Sequence, residues 1–127
     1  MTSQQAKFSS DAYVPDGLIA NEPALLLSEK ITLLSGQNLK RGALLGKITA
    51  GGKYVLSLAA AGDGSQVPAR VLVDDVDASA GDKEALGYRR GDFLDKGITF
   101  GTGHTAASVK DALADIGIFI IAAQGGV

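Results

Sequence analysis

Gly101-Thr102-Gly103-His104-Thr105-Ala106 is the segment whose residue types and spacing come nearest to chemistry. It fits G-x-G-x-x-A, the pattern in which glycines let the backbone approach a pyrophosphate where a helix begins. Such a site also needs a parallel βαβ core and an acidic residue about 20 positions on to hold the ribose. Residues Ala123 to Val127 contain no acid, and every segment before the motif reads as strand or loop. The pattern therefore reads as a strand-to-helix turn. His104 is the sole histidine; acting as a general base, it would need a carboxylate or nucleophile from distant parts of the chain, and no G-x-S-x-G elbow exists. Asp74, Asp75 and Asp77, followed by Asp82 and Glu84, supply the oxygens a hard cation takes. Their spacing meets only the start of an EF-hand loop, so a solvated acidic strand end is expected and no metal. Gly42-Ala43-Leu44-Leu45-Gly46-Lys47 lacks the length and final Ser/Thr of a phosphate-binding loop. Arg89-Arg90 and Lys40-Arg41 read as solvated faces or intersubunit salt bridges. No catalytic residue and no cofactor site is expected, which favours a structural or binding protein over an enzyme.

The elements that would carry these residues are mostly strands. From Leu25 to Leu34, Leu25, Leu27, Ile31 and Leu33 share one face and Ser28, Lys30 and Thr32 the other, the period of a half-buried strand. Gly36-Gln37-Asn38 is a turn, and Ala43 to Thr49 a second extended segment. Gly51-Gly52 then forms a hairpin to Tyr54 to Leu58. Gly62-Asp63-Gly64-Ser65 is a loop, and Ala69 to Val73 alternates again. After a turn at Ala78 to Gly81, two shorter extended segments are expected near Leu86 to Arg90 and Ile98 to Phe100, separated by Gly91. One helix is predicted from Thr105 to Ile116, with Val109, Leu113 and Ile116 on one face and Thr105 or Ser108 as its cap. Gly117 stops it, and Ile118 to Ile121 has the character of a buried strand.

Composition narrows the function classes. The chain has 127 residues, 46% hydrophobic but only 6% aromatic, with seventeen glycines. That fits one domain with a core of small aliphatics and many turns. A formal net charge of -2, with both signs interspersed, gives no electrostatic footprint for nucleic acid or an anionic membrane. Without cysteine there are no disulfides, thiolate nucleophiles or thiolate metal sites. Met1 to Ser10 lacks the apolar core of a secretion signal, so the host cytoplasm is the expected first location. Residues 1–17 show neither helical nor strand periodicity and read as a flexible N-terminal arm preceding a domain over 18–127. Tyr13, Val14, Pro15, Leu18 and Ile19 are the apolar cluster near that arm.

Ser35-Gly36-Gln37-Asn38-Leu39-Lys40-Arg41-Gly42-Ala43-Leu44-Leu45-Gly46 resembles a signature of the head decoration proteins of tailed bacteriophages, the family of the lambda head decoration protein. Gly52 to Ser57, Asp63 to Pro68, Val73 to Ala78, Gly101 to Thr105 and Asp115 to Phe119 are similar to further blocks of that family, in order. Together they span nearly everything from Leu18 to Ile121. Gly91-Asp92-Phe93-Leu94 departs from it, since the family often shows an Asn after the aromatic residue; with Lys96-Gly97, it marks a loop expected to be built differently. The resemblance implies a mainly β, single-domain, barrel-like fold of the β-tulip type with one short C-terminal helix. It implies homotrimers at three-fold positions on the outer surface of an expanded capsid, with the arm touching the major capsid protein. The expected location is then the virion. The alternative is a non-catalytic β-barrel binding or adaptor module with a small-ligand site at the Gly101 to Thr105 turn.

Overall fold

Short runs of Val, Leu and Ile alternating with polar neighbours form strands that hydrogen-bond edge to edge, and in the computed structural model they close on themselves. The structure describes residues 17–20 and 26–122. Among these the strands are β1 Leu27–Leu33, β2 Asn38–Leu39, β3 Leu44–Lys47, β4 Tyr54–Leu56, β5 Pro68–Leu72, β6 Val76–Asp77, β7 Lys83–Leu94 and β8 Ile118–Ile121, with one α-helix, α1 Ala106–Ala114. The fold is mainly β, and β1, β4, β3, β5 and β7 make a closed five-stranded barrel. β7 closes it by pairing antiparallel with both β5 and β1, while β1 meets β4 in parallel at Leu33 and Tyr54. The β3–β4 hairpin turns where the Gly51-Gly52 pair predicts it.

Gly91 does not separate two short segments as the sequence suggests. β7 runs through it as one strand of 12 residues, and Gly91 takes a φ of +150°, a bend glycine adopts without a Cβ penalty. Before the bend β7 is a barrel stave; beyond it, Gly91 to Leu94 pair in parallel with Ile118 to Ile121 of β8. Ile19 bridges Phe93 as well, so beyond the bend β7 has both β8 and the Ile19 segment as partners. The Gly91–Leu94 stretch expected as a loop is thus strand. Ile98 to Phe100 forms no strand either: Thr99 makes a single bridge to Ala43 after a 3₁₀ turn at Asp95–Gly97.

Two apolar clusters share one wall. Ile31, Leu33, Ala43, Leu45, Tyr54, Leu72, Ala78 and Ala85 fill the barrel. Leu18, Leu44, Val71, Phe93, Ile98, Val109, Leu113, Ile118 and Ile120 form a second core, where α1 covers the outside of the wall. Neighbours in a strand point to opposite faces, so Leu44-Leu45 and Val71-Leu72 send one side chain into each core. At the barrel mouth Glu29, on the inward face of β1, accepts from Arg70 Nε at 2.6 Å and pairs with its guanidinium again at 2.6 Å. Gly87 leaves room for the Arg70 stem, which a Cβ there would crowd.

Several elements differ from the sequence reading. Ile116 is exposed, because α1 ends at Ala114 and its buried side chains are Val109 and Leu113. β8 is half-buried: Ile118 and Ile120 face the core, Phe119 and Ile121 solvent. Leu27, at the open start of β1, is exposed as well. Leu25 and the arm over 1–16 lie outside the described residues. The two-residue pairing of β2 with β6 is too short to carry a periodicity.

Leu44→Ala and Leu45→Ala should each lower the unfolding free energy by about 2–5 kcal/mol, since each leaves a cavity in a different core. Urea denaturation monitored by circular dichroism checks this. A loss under about 1 kcal/mol for either would contradict a wall buried on both sides.

Candidate functional site

The glycine-rich turn owes its residues to packing. Gly101 lies against the backbone of Ser57, and a Cβ there would run into the Ser57 carbonyl. His104 N–H donates to the Gly101 carbonyl at 3.0 Å, closing the turn before α1. Thr105 and Ser108 then cap the helix reciprocally: Thr105 Oγ1 accepts from the Ser108 N–H at 3.1 Å, and Ser108 Oγ from the Thr105 N–H at 2.9 Å. A Cβ at Gly101 or Gly103 would meet Ser57, Leu58 and Ala59, which pack against the turn.

One contact there resembles a nucleophile and base. Ser57 Oγ lies 3.1 Å from His104 Nε2, and its own hydroxyl donates to the Ser65 carbonyl at 2.6 Å. A hydroxyl has one hydrogen and a carbonyl can only accept, so Nε2–H of His104 donates to Ser57. That polarity is the reverse of what activation of a serine requires. Ser57 is also 0% exposed. The pair clamps the loop after β4 to the turn before α1.

The acidic run is dispersed into turns. Asp75 accepts from the Arg41 N–H at 2.8 Å and pairs with Lys40 at 3.7 Å. Asp77 accepts from the Ser79 N–H at 2.9 Å, Asp82 accepts from the Ser35 N–H at 2.8 Å and pairs with Lys53 at 2.6 Å, and Glu84 pairs with Lys30 at 3.6 Å. No group of three potential metal ligands occurs among the described residues. Hydrogen bonds from Ser65, Ser79 and Lys53 hold the carboxyls of Asp63, Asp77 and Asp82, respectively, below their ordinary value. Arg89 turns toward Glu29, 3.4 Å away. Glu29 was missed because a charge among Leu27, Ile31 and Leu33 breaks the apolar pattern; its opposite charge, Arg70, stands 41 residues away.

The root of the N-terminal arm is bound into the domain. The Leu94 N–H donates to the Leu18 carbonyl at 2.7 Å, and the Ala20 N–H to the Asp92 carbonyl at 3.0 Å. Leu18 is 2% exposed and Ile19 packs against the same core. Of the five apolar residues singled out near the arm, these two are therefore domain residues by position. Tyr13, Val14 and Pro15 lie outside the described residues.

Lowered carboxyl values set the sign of the acid response. Groups bound more tightly when ionised contribute stability that is complete above the ordinary value of 3.8 and lost as pH falls through the folded values. The melting temperature should thus decline below about pH 4, and less steeply in the Asp63→Asn/Asp77→Asn/Asp82→Asn variant. Equal slopes in both proteins would count against these contacts. Gly101→Ala should cost about 1–3 kcal/mol through overpacking against Ser57, and His104→Ala about 1 kcal/mol through one lost hydrogen bond. Chemical denaturation checks the order, which a larger loss for His104→Ala would reverse.

The model of the bacteriophage lambda head decoration protein D family matches residues 8–120 of this chain. No curated protein matches it. The match takes in the whole barrel, α1 and nearly all of β8, and it begins within the arm. With that match over nearly its whole length, the chain belongs to the bacteriophage lambda head decoration protein D family.

Proposed function

We propose that this protein is a non-enzymatic decoration protein that binds the outer surface of an expanded phage or prophage capsid as trimers at three-fold positions and stabilises the shell during and after DNA packaging. The family match over residues 8–120 is the observation that carries this reading. Its partners are the major capsid protein and other copies of itself; it waits in the host cytoplasm until the head expands. Neither nucleic acid nor membrane takes part, in keeping with the small, interspersed charge. The reversed polarity of the Ser57–His104 contact supports a role without catalysis.

In this reading the arm makes the attachment. Residues 1–17 order on the shell, Tyr13, Val14 and Pro15 placing an extended segment on an exposed sheet edge of the capsid protein. Pro15 limits pairing at its own position. Leu18 and Ile19 anchor the arm, because their backbone is hydrogen-bonded to β7 and Leu18 is buried. Ordering costs roughly 1–2 kcal/mol per residue, which contacts to the shell must offset. Three arms on one trimer make the second and third contacts intramolecular, so weak single arms add up to durable attachment.

Deleting residues 1–17 should leave thermal melting nearly unchanged, since Leu18 is the first core residue among those the structure describes. Binding to expanded capsids in cosedimentation should fall by at least about 100-fold, the scale of avidity lost with three tethers. Wild-type affinity in the truncated protein would move the interface onto the folded domain. Equal binding of the intact protein to unexpanded heads would remove the dependence on expansion.

A further inference from the structure

Gly97 ends the 3₁₀ turn at Asp95–Gly97 and lies outside every motif block of the sequence. It does not have a positive φ, so its own backbone conformation admits any residue. What excludes a side chain is a neighbour. A Cβ on Gly97 would run into the Gly17 carbonyl oxygen and stand 2.7 Å from Leu18 Cα and 2.9 Å from the Gly17 carbonyl carbon. These nearest atoms are all backbone of the arm root, so position 97 is kept bare for the root and not for the barrel.

Gly97 is itself laid on a glycine. A Cβ on Gly42 would run into the Gly97 carbonyl oxygen, and Gly42 is tied to the barrel: its N–H donates to the Leu72 carbonyl of β5 at 2.9 Å, and its carbonyl accepts from the Thr99 N–H at 3.0 Å. The arm root, the 3₁₀ turn and the shared wall therefore stack backbone on backbone. The root is also held by β7, through the bonds of the Leu18 carbonyl to Leu94 and of the Ala20 N–H to Asp92. Neither bond reaches Gly17, whose carbonyl rests on Gly97. A chain end held by two hydrogen bonds frays readily, and a close backbone contact at its outermost residue opposes that.

We propose that Gly97 is a positioning residue for the arm: the seat it forms on Gly42 keeps residues 17–20 ordered before the protein meets a shell, so the arm starts from a fixed point on the domain. The inference rests on the attachment role given to the arm in the reading above. Residues ordered in advance do not have to be ordered on contact. A released root would add residues 17–20 of every arm to what the shell must order, once for each copy in a trimer. One methyl group at position 97 suffices to release it, because the atoms in its way are backbone and can yield only by parting the root from the turn.

In the full-length protein, Gly97→Ala should raise the amide exchange rates of Ala20 and Leu94, whose bonds hold the root, at least about tenfold, while Ser57 and Val73, bonded to the Leu44 and Leu86 carbonyls, exchange as in the wild type. Half-saturation of expanded capsids in cosedimentation should then need at least about ten times more protein. Ala20→Pro, which removes the N–H bonded to Asp92 and leaves the turn untouched, should speed exchange at Leu94 and weaken capsid binding in the same way. Gly101→Ala, whose Cβ would meet Ser57 and not the root, should bind capsids like the wild type. Unchanged exchange at Ala20 and Leu94 in Gly97→Ala, or a rise shared equally by Ser57 and Val73, would overturn the proposal. So would faster exchange at the root in either variant with wild-type capsid binding, or an equal loss of binding in Gly101→Ala. Failure of the wild type to bind capsids, with the root still released by Gly97→Ala, would remove the decoration reading and support the seat.

Discussion

Leu44-Leu45 on β3 and Val71-Leu72 on β5 have no solvent side, because each strand separates the barrel interior from the core beneath α1. A strand with one wet face tolerates a polar residue at every second position, whereas this wall tolerates none. Each fully buried side chain of this size contributes about 1.5–3 kcal/mol relative to exposure. In a chain poor in aromatics and without disulfides, this wall couples the barrel to the helix layer, because neighbouring side chains on β3 and β5 enter the two different cores.

Charge is kept at the margins of this arrangement. The Glu29–Arg70 pair closes the barrel mouth where the aliphatic filling ends, with Arg70 also 5.9 Å from the Tyr54 ring centre. Three further acids tie turns: Asp75 holds the segment after β2, Asp82 the turn after β1, and Asp63 the loop after β4 through the Ser65 N–H and hydroxyl. Exposed pairs of this kind add little energy each, but they fix the loops between short strands.

The bend at Gly91 redirects the end of β7. By leaving the barrel there, β7 becomes the centre of a small sheet, with the arm root on one side and β8 on the other. The Leu18–Ala20 segment runs antiparallel to β7 and β8 runs parallel to it, so the arm leaves from the end of the sheet at which β8 finishes. The arm root and β8 therefore pair with the same stretch of β7 and rest on one core.

Much of this was legible in the residues. Period-two alternation located β1 and β5, the Gly-Gly pair located the hairpin of β3 and β4, and Thr105, Ser108 and Gly117 bounded the helix, because local backbone geometry depends on local side chains. The ordered motif blocks also carried the family, and the failed phosphate, metal and catalytic spacings pointed to turns. What could not be read was decided by contacts distant in sequence. Glu29 finds Arg70 only when the barrel closes, and β7 continues through Gly91 only because β8 and Ile19 supply partners beyond the bend. Whether Ile118 to Ile121 is covered on one face or both depends on which elements reach it, and α1 reaches only one. Periodicity fixes which residues share a face; tertiary packing alone determines what, if anything, lies against it.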